Sequence, residues 1–183
     1  MKVILTDIPE VLLFEPQLHG DHRGFFMESF NQKAFAEKTG LEHTFVQDNH
    51  SRSRGGILRG LHYQIQATQG KLLRVVSGEI FDVAVDLRRR SPTFGQWVGA
   101  ILSAENHRQL WVPEGFAHGF FVMSDRADVL YKTTDYYAPE HERTILWNDP
   151  DLAIAWPLKG KTPVLSTKDQ QGDRWTEAEV FEG

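Results

Sequence analysis

Phe81, Val83, Val85 and Leu87 alternate with Asp82, Ala84 and Asp86. That two-residue period predicts a strand with one apolar face, half buried. The preceding run, residues 72–76, is apolar apart from Arg74, and Ser77-Gly78-Glu79 between the two reads as a tight turn. Further strands are predicted over residues 96–102, 109–112, 117–123 and 128–134. Turn signals fall between them at Ser91-Pro92, Ala104-Glu105-Asn106, Pro113-Glu114-Gly115 and Ser124-Asp125. Short strands at this spacing point to a sandwich or barrel and away from βαβ units. One early helix is predicted, with Asn31 as its cap, Phe35 facing the core and Gly40 at its end. A second begins at Ser166, whose side chain caps the turn holding Lys168 and Asp169. Residues 147–163, rich in Pro, Trp and Asp, read as an irregular wrap over the barrel.

Composition narrows the class. A chain of 183 residues without repeats or linkers predicts one domain over residues 1–183, large enough to hold a single core. Twenty basic against twenty-five acidic residues give a net charge of −5, which argues against a nucleic-acid partner. The chain has no cysteine. That excludes disulfides, thiolate metal sites and a Cys nucleophile, and it agrees with a reducing compartment. Only Val3, Ile4 and Leu5 separate Lys2 from Thr6, too short for a signal-peptide core. No apolar run approaches the roughly 18 residues of a membrane span. A soluble cytoplasmic protein with no membrane partner is expected.

Among eight histidines, His19, His43, His107 and His141 lie in polar stretches and read as surface residues. His22 and His50 lack a clear partner. His62 stands in Arg59-Gly60-Leu61-His62-Tyr63-Gln64, where alternation puts Gly60, His62 and Gln64 on one face, with Arg59 able to reach it across a bend. The imidazole is either a satisfied structural group or a functional one. His118 ends Pro113-Glu114-Gly115-Phe116-Ala117-His118, a turn that delivers a His onto the next strand and resembles the second cupin motif. In metal-binding cupins that His is a ligand, and the partner motif supplies His-x-His. Here the second His is Gln64, a poor transition-metal ligand, so no metal is expected. Arg88-Arg89-Arg90 reads as a solvated hairpin tip. Arg23, Arg59 and Lys71, beside glycines at strand starts, suit an oxyanion or a diphosphate. Tyr131, Tyr136 and Tyr137 either fill an amphipathic wall or supply a general acid and a stacking platform.

Six segments together resemble the dTDP-4-dehydrorhamnose 3,5-epimerase family: Asp21-His22-Arg23-Gly24-Phe25-Phe26 with Glu28, Val46-Gln47-Asp48-Asn49-His50-Ser51, residues 58–64, Gly70-Lys71, residues 112–120, and Leu146-Trp147-Asn148-Asp149. The resemblance spans about residues 7–169. It implies a mainly β, cupin-type β-barrel (jelly roll) with short peripheral helices, working as a homodimer without metal or organic cofactor. The implied substrate is dTDP-4-keto-6-deoxyglucose. In the family's chemistry His62 matches the base, Asp169 the carboxylate that orients it, Tyr131 the acid and Lys71 the cation near the enolate. Asp169 read alone is equally a helix-end carboxylate. Arg23, Glu28, Gln47, Asp48, Asn49, Arg59, His118, Glu142 and Lys168 match the nucleotide-sugar site, and Tyr137 the aromatic that stacks on thymine. The family exchanges N-terminal strands across its dimer, so Arg23, Phe26 and Glu28 are expected to serve the neighbouring subunit. Three rivals remain: a relative inverting one carbon, a metal-dependent cupin such as a dioxygenase, and a non-catalytic sugar-binding cupin.

Overall fold

Strand-forming alternation dominates the chain, and the computed structural model, which describes residues 1–182, is correspondingly built from antiparallel strands. In chain order they are β1 (Lys2–Leu5), β2 (Leu12–Glu15), β3 (Leu18–Asp21), β4 (Gly24–Met27), β5 (Gln47–Arg54), β6 (Leu58–Gln64) and β7 (Lys71–Ser77). There follow β8 (Glu79–Asp86), β9 (Trp97–Ser103), β10 (Gln109–Val112), β11 (Phe116–Val122), β12 (Arg126–Thr133) and β13 (Glu142–Thr144). One sheet has the order β1-β2-β10-β7-β12-β5, the other β13-β6-β11-β8-β9, and β3-β4 stand apart as a two-stranded hairpin. The two large sheets face each other, and their hydrogen-bonded ladders do not join into a closed barrel.

The main core lies between the sheets. Leu73, Val75 and Val129 from one meet Ile80, Leu102 and Phe120 from the other. A second cluster lies outside the five-stranded sheet, where the C-terminal segment brings Leu152, Trp156 and Trp175 onto Leu61, Val83 and Val85. The irregular wrap expected over residues 147–163 is therefore present, pinned where Trp156 Nε1 donates to Trp147 O at 2.7 Å. The reading of β8 is corrected: the wrap covers its Phe81, Val83 and Val85 side, and the other side, with Ile80, Asp82 and Ala84, faces the six-stranded sheet. That strand is buried on both faces, and Asp82 and Asp86 are fully inaccessible instead of solvent-facing. Asp86 accepts hydrogen bonds from Arg88, Ser91 and Thr93. Arg88 is thus an anchored residue lying over the Phe116 ring, not part of a solvated tip.

Both predicted helices form. The helix α1 (Gln32–Thr39) starts where the Asn31 side chain accepts from Ala34 N and ends at Gly40 in the left-handed conformation. Its Phe35 packs on Phe14, Leu72 and Trp111 to close the outer face of the six-stranded sheet. The helix α2 (Thr167–Gln170) carries a capping box in which Ser166 and Asp169 bond each other's backbone N–H. Among the described residues no helix is long and apolar enough to cross a membrane.

Candidate active site

A polar cavity of about 370 Å³ opens between the two sheets. Its walls come from β5 and β12 on one side and from β6 and β11 on the other, with Glu142 and Lys168 at the rim. On β5, alternation turns Gln47, Asn49 and Ser51 inward, which is why this strand carries so little apolar residue. On β12 the same period brings Tyr131 inward beside Val129 and Thr133. On β6 strict alternation would send Arg59 and His62 to opposite faces. The ladder to β11 slips instead: His62 lies opposite His118, but Arg59 lies opposite Phe120, so three residue steps on β6 match two on β11. The bulge brings Arg59 onto the cavity face. Gly60 allows it, because a Cβ there would collide with the Gly119 backbone.

His62 Nε2 donates to Asp169 Oδ1 at 2.6 Å. Asp169 also accepts from Gly60 N at 3.2 Å and, through Oδ2, from Ser166 Oγ at 2.6 Å. Burial alone would raise this carboxyl, but the hydrogen bonds from His62 and Ser166 overcome it and hold the pKa down to about 2. Asp169 is therefore both a helix-capping group and the partner of His62. Burial pushes the His62 imidazole below its usual value, against the opposing pull of Asp169, so the ring is neutral near pH 7. Lys71, only 8% exposed, reaches toward His62 O at 3.4 Å. Burial lowers its pKa to about 8, although Glu142 and Asp82 pull the other way. Burial raises the Tyr131 phenol, with Arg59 opposing, and keeps it protonated. At the rim, Glu142 accepts from Lys168 Nζ at 2.8 Å and from Tyr137 OH at 3.1 Å.

Eleven of the fifteen expected site positions gather here: His62, Lys71, Tyr131, Asp169, Gln47, Asn49, Arg59, His118, Tyr137, Glu142 and Lys168. Four do not. Asp48 points to the opposite face of the six-stranded sheet and pairs with Lys132 at 2.9 Å, because it alternates with the inward Gln47 and Asn49. On that outer face His50, for which no partner was expected, donates to Asp128 at 2.8 Å. Among the described residues Arg23 pairs with Asp21, and Phe26 is 70% exposed on the β3-β4 hairpin. Glu28 accepts from Asn31 Nδ2.

Asp82 was missed in the sequence. It receives His118 Nε2 at 2.9 and 3.1 Å, and nothing in the alternation of β8 separates it from a surface aspartate. Ser51, Tyr63, Gln64, Gln69 and Phe120 complete the lining. The arrangement offers a neutral imidazole held by a carboxylate, a protonated phenol from the opposing sheet, and a buried ammonium. These are the parts for moving protons on either side of one small molecule.

Facing antiparallel sheets around a polar cavity put the chain in the cupin-like class of β proteins. A family model described as dTDP-4-dehydrorhamnose 3,5-epimerase matches residues 5–177. The chain is 64% identical over 181 residues to a dTDP-4-dehydrorhamnose 3,5-epimerase of Pseudomonas aeruginosa, covering 99% of both. It superposes with a TM-score of 0.96 and 55% identity on a Legionella pneumophila dTDP-6-deoxy-D-glucose-3,5-epimerase in complex with dTDP-4-keto-L-rhamnose, covering 100% of this chain and 98% of that one. It is also similar, at 35% identity and a TM-score of 0.86, to a 3'-monoepimerase of Streptomyces bikiniensis in complex with dTDP-quinovose, over 93% and 86% of the two chains. The chain belongs to the dTDP-4-dehydrorhamnose 3,5-epimerase family, a family of isomerases.

Proposed function

We propose that this protein inverts C3 and C5 of dTDP-4-keto-6-deoxy-D-glucose to give dTDP-4-keto-L-rhamnose, in dTDP-L-rhamnose synthesis. The observation that carries the reading is that His62 on one sheet, held by Asp169 of α2, and the Tyr131 phenol on the sheet facing it line one cavity. Inversion at a carbon next to a ketone needs a base on one face and an acid on the other.

Asp169 accepts the Nε2 hydrogen of His62, which leaves the lone pair on Nδ1. That nitrogen takes the proton from C5 or C3. The C–H electron pair moves into the C4 carbonyl, and O4 becomes an oxyanion. The Lys71 ammonium stabilises this charge at the moment it develops, where a buried cation counts most. Tyr131 then delivers its proton to the carbon from the other face. The imidazolium and the phenolate return to their starting states by exchange with water, and the second carbon follows by the same steps. A positioned acid or base is worth about 10²–10⁴-fold in rate.

Arg59, Asn49, His118 and Lys168 bind the diphosphate and sugar in this reading, and Tyr137 stacks on the thymine. Arg23, Phe26 and Glu28 belong to the same site in a homodimer, contributed by the hairpin of a second copy. The exposure of Phe25 and Phe26 and the lack of any ladder between that hairpin and either large sheet support the exchange. The proposed setting is the cytoplasm, in keeping with a cysteine-free chain.

The test is incubation with dTDP-4-keto-6-deoxyglucose in D₂O, with the sugar read by NMR. Deuterium at both C3 and C5 is expected. Label at one carbon only would assign the protein to the single-epimerase branch, and no label from folded protein would overturn the reading.

A further inference from the structure

Gln64 stands where a metal-binding cupin would place its second histidine, and the proton transfers above leave it unused. It is buried on β6, two residues from His62. Its Nε2 donates to Ala67 O at 2.6 Å and to Tyr136 O at 3.2 Å, and its Oε1 accepts from Ala138 N at 3.0 Å. From the opposite sheet, Gln47 Oε1 accepts from Tyr137 N at 3.1 Å. The backbone of residues 136–138 is thus gripped by one amide side chain from each wall of the cavity. Tyr137 sits between the grips, more than half exposed, with its hydroxyl donating to Glu142.

We propose that Gln64 is a positioning residue that holds residues 136–138 at the cavity mouth, so that the Tyr137 ring is already set as a platform for the nucleobase. This rests on the reading of Tyr137 as the stacking residue. The chemistry requires an amide. Two carbonyl oxygens need a donor and one N–H needs an acceptor, and only a group carrying both can serve all three. A carboxylate at position 64 would face the two carbonyls with no hydrogen to offer. The released segment would have to be ordered again whenever nucleotide binds, and that cost weakens affinity. The proton-transfer groups are not bonded to the Gln64 side chain, so the loss falls on KM and not on kcat.

The experiment is calorimetric titration of dTDP into the full chain as wild type, Gln64→Glu, Tyr137→Ala and the double variant. Amide hydrogen exchange of residues 136–138 and steady-state kinetics accompany it. Gln64→Glu is expected to weaken dTDP about tenfold in the wild-type background, and by less than about twofold once Tyr137 is Ala, because the two act as one unit. Exchange at Tyr137 and Ala138 accelerates. An equal loss in both backgrounds, no loss in the wild-type background, or a fall in kcat with dTDP affinity intact overturns the proposal. Tyr137→Ala alone reports on the stacking reading. If it leaves dTDP affinity unchanged, that reading fails and the proposal with it. If it weakens dTDP while Gln64→Glu does not, only the positioning role fails. Gln64→Met, of similar volume and without hydrogen bonds, repeats the test should the Glu variant not fold, with thermal melting as the check.

Discussion

Replacing Asp169 by Asn separates the two duties of that side chain. Lowering its pKa from 3.8 to about 2 corresponds to about 2 kcal/mol in favour of the ionised form. The strongest contributor on the favourable side is the His62 hydrogen bond at 2.6 Å. Asn keeps the shape but removes the charge that stabilises imidazolium once His62 has taken a proton. If that charge is worth about 2 kcal/mol in the transition state, turnover falls about 30-fold. The pH profile should shift as well. Asp169 raises the His62 pKa, so its loss lowers that pKa further, and the acid limb of kcat/KM moves to lower pH even as the plateau falls. Stability follows the carboxyl. Its folded-state pKa is depressed, so its contribution is present above pH 3.8 and disappears as the pH falls towards 2. At pH 7 the variant should therefore unfold about 2 kcal/mol more easily. Ser166→Ala is the control. It breaks the capping box, costs about 1 kcal/mol, and leaves the His62 bond in place. The assay is loss of the C5 proton signal in D₂O, followed by NMR across pH 5–9. Turnover within about twofold of wild type in folded Asp169→Asn, or equal damage from Ser166→Ala, would refute the reasoning.

Three further outcomes follow from the same geometry. Lys71 serves as a cation, and burial sets its pKa at about 8, so kcat/KM should decline as pH rises through 8, and Lys71→Arg, always charged, should remove that limb from the profile. At Gly70 an added Cβ would run into the Trp111 ring, so Gly70→Ala should destabilise by about 1–3 kcal/mol in thermal or urea melts; an unchanged melt would show that the ring yields freely. If each site combines His62 of one subunit with Arg23 of the other, then inactive His62→Ala and Arg23→Ala proteins, mixed and reassembled, should regain about a quarter of wild-type activity, whereas a self-contained site regains none.

Elements whose signals are local are legible in the chain alone. The alternation around residues 81–87, the turns at 77–79 and 113–115, the Asn31 and Gly40 caps and the Ser166 cap all reappear in place. Each is written within a few residues of the backbone it shapes. Motif resemblance carried the site further, since eleven of fifteen positions converge on one cavity. The remaining features depend on residues far apart along the chain. The C-terminal wrap covers the Val83 and Val85 side of β8, while the facing sheet encloses the other side and makes Asp82 the buried partner of His118 instead of a surface residue. A polar strand such as β5 gives no hydrophobic period because its inner face lines a cavity and not the core. The bulge that brings Arg59 beside His62 arises from pairing with β11. The bond that defines the dyad joins residues 107 positions apart. Periodicity reports which side of a segment is apolar; burial on two sides, and the company kept by a buried polar group, depend on what the rest of the chain packs against it.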